Sequence, residues 1–334
     1  MPNTILTQEG YEELRNRFID ATNIEALIQS KGQIFIGAVV ETVILVLGNR
    51  PLDGHKVKFG WISPDGSIEE QASVPQVNFS ANYKSAFAAP ADENVSNLKK
   101  RIEAVGVKMG DMLNFNQAIA LKHDRAACLD DAPLTNKHRM VLDGRHISRY
   151  VTGDSRNYFK FDVAKIHSCK REDIFLLAEK IFMRRVGDRI IASYDDVQRF
   201  ALNTLVVVSP RPACTWSPRF VLGLLNSKLV NFYYVTFLKS SKKVFSEIQA
   251  RQVQQIPLPK LDPKNKSDVA VHDRIVSLVE KMLTLHPQRA AAKIPHEQTA
   301  LDRQISATDT QIDREVYALY GLSAEEIQLV EASA

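Results

Sequence analysis

Lys180-Ile181-Phe182-Met183-Arg184-Arg185-Val186-Gly187-Asp188-Arg189 is the stretch on which the reading of this chain turns. Ile181, Met183 and Val186 alternate with Lys180, Arg184, Arg185 and Arg189, which predicts a strand with an apolar and a basic side, followed by a turn. The segment lies in a basic block. From Lys137 to Arg251 there are 21 Lys and Arg against 10 Asp and Glu, an excess of eleven, so the rest of a chain of net charge +4 carries −7. Such an excess suits a polyanionic partner, because each phosphate neutralised by Lys or Arg releases condensed counterions. A basic, solvated surface accounts for the same composition.

The chain has 334 residues, 45% hydrophobic and 25% charged, an ordinary globular balance with room for two domains. No apolar run approaches the roughly 20 residues that cross a bilayer, and the longest candidate, Val39 to Leu47, is broken by Glu41. The N-terminus lacks a basic segment followed by an apolar one, so a cytoplasmic protein without a membrane partner is the expectation. Cys128, Cys169 and Cys214 lie far apart and suit neither a disulfide framework nor a metal site. Asp188, Asp195 and Asp196 lack nuclease-type spacing and read as turn and cap residues, and the eight histidines form no metal-binding or catalytic pair.

Four regions follow from the patterning. Residues 1–50 read as an α/β fragment: a helix over Gln8 to Asp20 with Tyr11, Leu14, Phe18 and Ile19 on one stripe and Thr7 as N-cap, then strands at Ile24 to Ile28 and Val39 to Leu47. The second strand is so continuously apolar that burial on both faces is expected. Residues 51–97 read as a connector with a hairpin around Pro64-Asp65-Gly66, and residues 98–262 as an α+β domain containing a long apolar helix or helix pair from Phe220 to Leu238. Residues 263–334 read as a helical tail, its helices separated by Pro287 and Pro295, with Gly321 closing the second and Ser323 capping the last.

Five segments in order carry a resemblance. They are Gly144-Arg145-His146-Ile147-Ser148-Arg149-Tyr150, the Glu179 to Asp188 stretch, Leu224-Leu225-Asn226-Ser227-Lys228, Ile256-Pro257-Leu258-Pro259, and Ile312 to Leu322. Together they resemble the TaqI-type C-terminal specificity domain of N6-adenine DNA methyltransferases over roughly residues 100 to 330. Gly106-Val107-Lys108-Met109-Gly110 is similar to that family's "Gv-K-T-G" turn, with Met109 in place of the usual Thr, and His146 replaces an acid in "G-r-d-I-k-r-Y". The first 50 residues have their own likeness: Met1 to Thr7 resembles the family strand "lPnsfLt", and Ile34 to Ile44 resembles its "vF-x-x-A-x-v-x-t-x-I" segment. The resemblance thus implies an α/β remnant of a Rossmann-like methyltransferase domain, then an α+β DNA target-recognition domain, then the helical tail.

What the resemblance implies for function is reading of double-stranded DNA as the specificity part of a restriction-modification methyltransferase. Phe35 matches the aromatic that stacks on the flipped adenine. Lys108 is placed to reach a phosphate, although positive φ explains the glycines of its turn equally well. Arg145 and Arg149 would share a face if their stretch is helical, with Tyr150 beside them, and Arg184, Arg185 and Arg189 would line a DNA groove. Lys239, Lys242 and Lys243, in a basic loop, suit backbone contacts. The methyl-donor machinery is not in evidence: the chain contains no Gly-x-Gly and no Pro-Pro. It is therefore expected to bind no cofactor and to transfer no methyl group alone, S-adenosylmethionine being implied for the complete enzyme. A separate polypeptide or an N-terminal region would carry the methyltransferase core, and a split active enzyme or a decayed fragment without DNA affinity are the alternatives.

Overall fold

The computed structural model describes residues 1–30, 42–50, 52–87, 93–212, 214–239 and 247–332. The chain divides into two units, Met1–Asn97 and Leu98–Ala334.

In the first unit, α1 (Glu12–Ala21) precedes β1 (Asn23–Ser30), β2 (Val43–Gly48), β3 (Lys56–Ile62) and β4 (Ile68–Pro75). These strands form one mixed sheet in the order β2-β1-β3-β4, with β1 parallel to β3 and the other pairs antiparallel. The connector expected over residues 51–97 therefore belongs to the same sheet as the α/β fragment, since β3 pairs directly with β1. The turn at Pro64-Asp65-Gly66 joins β3 to β4, with Gly66 at φ +84°. Ile24, Leu27, Val43, Val57, Phe59, Val74, Phe79 and Phe87 form the core.

Two expectations for this unit change. β2 is an edge strand, so Ile44, Val46 and Leu47 are 45%, 44% and 38% exposed instead of buried on both faces. The α1 stripe is also partly outside, with Tyr11 and Leu14 exposed and no side-chain cap from Thr7. The buried side chain of α1 is Arg15, which donates to the carbonyls of Ile5, Gln8 and Lys84. Three backbone acceptors satisfy a charge that would be costly to bury alone.

The second unit begins within α2 (Glu93–Ala104) and continues through β5 (Gly106–Lys108), α3 (Met109–Met112), β6 (Leu113–Gln117), β7 (Ala120–Leu121) and α4 (Arg125–Cys128). Next come β8 (His138–Leu142), β9 (Ile147–Ser148), β10 (Val151–Thr152), β11 (Tyr158–Lys160) and β12 (Ile166–Ser168). β13 (Lys180–Arg184), β14 (Ala192–Asp195), β15 (Phe200–Ala201) and β16 (Leu205–Pro210) complete the strand-rich part. The chain then turns helical through α5 (Pro218–Asn226), α6 (Lys228–Tyr233) and α7 (Ala250–Val253), runs through β17 (Pro257–Pro259), and ends in α8 (Lys266–Ala291), α9 (Pro295–Leu319) and α10 (Ala324–Ala332).

The central sheet runs β14-β13-β16-β6, all antiparallel, and its Phe182, Leu205 and Val207 share a core with Phe159, Phe175 and Phe200. On the helical side α5 is buried from Phe220 to Asn226, and α8 and α9 pack against each other. Among the described residues no single helix is long and apolar enough to cross a membrane; the apolar stretch from Pro218 to Leu238 is bent by 57° at Ser227, and most of its apolar residues are core.

The tail is not separate, because α8 packs on α5. Its caps follow the sequence: Gly321 at φ +63° receives the chain after α9, and the Glu326 amide donates to Ser323 Oγ while the Ser323 amide donates back to Glu326 Oε2. Pro287, expected to separate helices, instead sits inside the last part of α8.

The "Gv-K-x-G" turn has a different cause from positive φ, which neither of its glycines adopts. β5 lies so close to β17 that a Cβ on Gly106 would stand 2.4 Å from the Leu258 carbonyl oxygen and 2.8 Å from the Lys260 amide. Close approach of two backbones excludes a side chain there. Gly106→Ala is therefore expected to lower stability by about 1–3 kcal/mol, whereas Gly144→Ala, whose Cβ would meet nothing nearer than 3.5 Å, should stay near the parent. Paired thermal melts test this; equal melting of both variants would remove the close-approach explanation.

Candidate nucleic-acid interface

Several of the basic residues singled out by pattern, Arg149, Arg184 and Arg185 among them, are bonded internally within the second unit. Arg149 donates Nη1 to Asp309 Oδ2 at 2.9 Å and Nη2 to Asp309 Oδ1 at 2.6 Å, a fork-to-fork pair, and Nη2 also donates to the Asn226 carbonyl at 2.9 Å. One guanidinium thus ties the strand part to α9 and to the end of α5. The Arg145–Arg149 stretch is not an α-helix: Gly144–His146 is a single 3-10 turn and Ile147–Ser148 is strand β9. The two arginines consequently diverge, Arg145 being 69% exposed in its side chain with only a 3.3 Å approach to Asp143.

Asp143 builds that turn. It accepts from the Arg145 amide at 3.2 Å and from Arg125 Nη1 at 2.6 Å, while its own amide donates to His146 Nδ1. Burial pushes the His146 imidazole below its usual range, against the pull of Asp143.

Tyr150 is buried at φ +64°, a conformation that costs a non-glycine residue energy and persists where surroundings impose it. Its amide donates to the Ala192 carbonyl, and its ring stacks on His286 of α8 at 6.3 Å. It is a packing residue between strands and tail, not a side chain facing a groove.

Arg184 also departs from expectation, donating Nε and Nη2 to the Ile147 carbonyl and so joining β13 to β9. Arg185 bonds Glu247 and the Asn203 carbonyl. Lys180 is fully buried against Asp195 at 2.5 Å, with Arg199 on the same carboxylate at 2.9 Å, so β13 has no basic face there. Burial draws the Lys180 ammonium below its usual range, opposed by Asp195. Asp195 thus serves as a buried counter-ion, beyond the turn role expected of it. Lys108 reaches Gln255 at 2.9 Å, and Lys239 donates to the Asp188 carbonyl at 2.9 Å. Phe35, Lys242 and Lys243 lie outside the described residues.

Arg189 is exposed and without a side-chain partner among the described residues. The same holds for cations that pattern reading passed over: Lys122, Lys160, Arg156 and Lys170. On the β7–β12 ribbon Leu121 faces Ile166, and the Lys122 amide donates to the Lys165 carbonyl, so two lysines stand side by side with His167 beyond them. Lys165 Nζ turns inward to donate to the Cys128 carbonyl at 3.3 Å, which leaves Lys122 as the outward charge of the two. On the neighbouring ladder Lys160 faces His138, on the side opposite the buried Phe159. The sequence signal was period-two exposure around Ile166 and Phe159, too short to stand out. No group of acidic, histidine or cysteine side chains suited to a metal ion occurs among the described residues.

Behind Arg149 lies a polar network. Asp313 Oδ1 accepts from the Lys228 amide at 2.8 Å and Lys228 Nζ stands 3.8 Å from Oδ2, while Asp313 Oδ2, Arg149 Nε, Tyr150 Oη and His286 Nε2 are buried without a hydrogen-bond partner among the described residues. Burial pushes the Asp313 carboxyl up to about 6. The folded protein therefore keeps a proton there that the unfolded chain, with an aspartate near 4, has already released. This group makes stability fall as pH rises from about 4 to 6 and leaves it level above that. Asp313→Asn keeps the Oδ1 acceptor and removes the titration, so its melting temperature relative to the parent should rise across that window, by the equivalent of about 2 kcal/mol. A constant difference from pH 4 to 7 would show that Asp313 titrates normally.

Comparison with known proteins gives this arrangement a context. Residues 139–258 match the TaqI-like C-terminal specificity domain. A putative type II restriction enzyme and methyltransferase of Methanocaldococcus jannaschii is 23% identical over 289 residues, which cover 80% of this chain and 23% of that protein. The type IIL restriction-modification enzyme MmeI, solved in complex with DNA, shares the fold at a TM-score of 0.57 and 12% identity, over 98% of this chain and 47% of its own. The chain thus spans about a quarter of the first and about half of the second. The matched segment runs from β8 to β17, narrower than the 100-to-330 span of the sequence likeness.

Proposed function

We propose that the second unit reads DNA as the target-recognition part of a restriction-modification enzyme. The observation that carries this is the specificity-domain match over residues 139–258 on a unit with several unpaired surface cations. Lys122, Lys160, Arg156, Lys170 and Arg189 have no side-chain partner among the described residues, so their charges are available to phosphates, which position a protein on the duplex. The internally bonded Arg149 and Arg184 hold the surface that presents them.

The first unit fits the end of a Rossmann-like methyltransferase sheet. Its outer strand β2 and the exposed Ile44, Val46 and Leu47 suit attachment to more protein. On this reading the methyl donor, S-adenosylmethionine, is held by residues other than those of this chain, which has neither a Gly-x-Gly nor a Pro-Pro sequence, and adenine-N6 is the position methylated.

Fluorescence anisotropy with duplex DNA across a salt series tests the reading. The parent should bind with an affinity that falls steeply with salt, and Lys122→Ala, Lys160→Ala and Arg189→Ala should each flatten the logarithmic slope by about one unit without changing the melting temperature. Arg184→Ala should behave oppositely, melting earlier with its slope kept. Salt-independent binding, or none at low salt, would end the DNA reading, and calorimetric uptake of S-adenosylmethionine by this chain would end the assignment of the donor site elsewhere.

A further inference from the structure

A cleft of about 420 Å³ opens beside the edge strand β6, between β6–β16 and the segment leading into α7. Its apolar lining is Phe115, Val206, Ile248 and Ala250, and its polar lining is Gln117, Gln249, Arg185, Arg251 and Glu247. Val206 and Gln117 are cross-strand partners, so an apolar and an amide side chain stand together on one face of the sheet.

The charges are partly spent. Arg185 is held by Glu247 and the Asn203 carbonyl, which offsets its charge and fixes its plane. Arg251 donates Nε to Gln249 Oε1 at 2.8 Å, leaving its two terminal nitrogens without partners among the described residues. Gln117 likewise carries an uncommitted amide. A bare phosphate would be served by uncompensated cations and would leave the apolar side unused. The arrangement offers a ring-shaped polar ligand the partly exposed Phe115 and Ala250 to lie on, backed by the buried Val206 and Ile248, with directional donors and acceptors at its rim, the pairings by which Gln and Arg recognise base edges. The space is too small for a duplex and ample for one base.

We propose that this cleft receives a single unstacked nucleobase of the bound DNA. The proposal rests on the DNA reading above and adds that the duplex is locally opened at the second unit. Lifting a base from the stack costs energy that an apolar face and edge hydrogen bonds return, and the cost is least where the base is already unpaired.

The test compares a matched duplex with the same duplex carrying one unpaired, bulged nucleotide, using the full chain. The parent should bind the bulged duplex at least fivefold more tightly. Gln117→Ala and Arg251→Ala, both at exposed positions, should bring the ratio close to one, as should Phe115→Ala if its melting curve is unchanged. Arg189→Ala should weaken both duplexes alike. Equal binding of the two duplexes by the parent, or an intact ratio in both Gln117→Ala and Arg251→Ala, overturns the base cleft while general DNA binding stands. Failure of the parent to bind either duplex in a salt-dependent way removes both.

Discussion

The guanidinium of Arg149 is the joint on which the second unit depends. It meets both oxygens of Asp309 on α9 and the carbonyl of Asn226 at the end of α5, so strand part, central helix and tail converge on one planar group. Asn226 extends the junction, exchanging two side-chain hydrogen bonds of 3.0 Å with the backbone of Ala192 in β14. Ser227 caps α6, and the Lys228 amide reaches Asp313. The short Leu-Leu-Asn-Ser-Lys sequence is therefore a connector in three dimensions, each of its polar residues satisfying a different neighbour. Truncating Arg149 would leave Asp309 and a carbonyl facing a void, the costly way to break a partly buried pair.

Sequence patterning made the elements legible where local chemistry dominates. The α9 terminus at Gly321, the Ser323 capping box, the β3–β4 turn and the helix pair after Pro218 all follow from residues within a few positions of one another. The order of segments resembling a specificity domain was also readable. Burial was not. Arg149, Arg184 and Lys180 resemble surface cations in one dimension because their counter-groups, Asp309, the Ile147 carbonyl and Asp195, lie 15 to 160 residues away. The β2 run illustrates the converse error: continuous apolar character fits a central strand, but an edge position leaves the same residues outside.

Charge has two distinct uses in this fold. Arg15 in the first unit and Lys180 in the second are desolvated and paired, and they fix geometry instead of adding attraction at a distance. Removing Asp195 would leave the Lys180 charge isolated, whereas replacing that ionic group as a whole by apolar side chains need not destabilise; an apolar residue in place of Arg15 would instead leave the Ile5, Gln8 and Lys84 carbonyls unsatisfied. The remaining cations, just after β7, on β11 and in the turn after β13, keep their solvent shells and their long-range field. Only this second group contributes to steering, and only it is strongly screened by salt.

The exposed, unbonded positions of Lys122, Lys160 and Arg189 among the described residues bear on how such a module can change over generations. Residues that hold the scaffold and residues that face outward form almost non-overlapping sets, so exchange of an outward cation leaves the packing energy untouched. Drift at the presenting surface is then decoupled from the threshold at which the fold fails. A scaffold arranged in this way tolerates a succession of outward-facing repertoires on one unchanging interior.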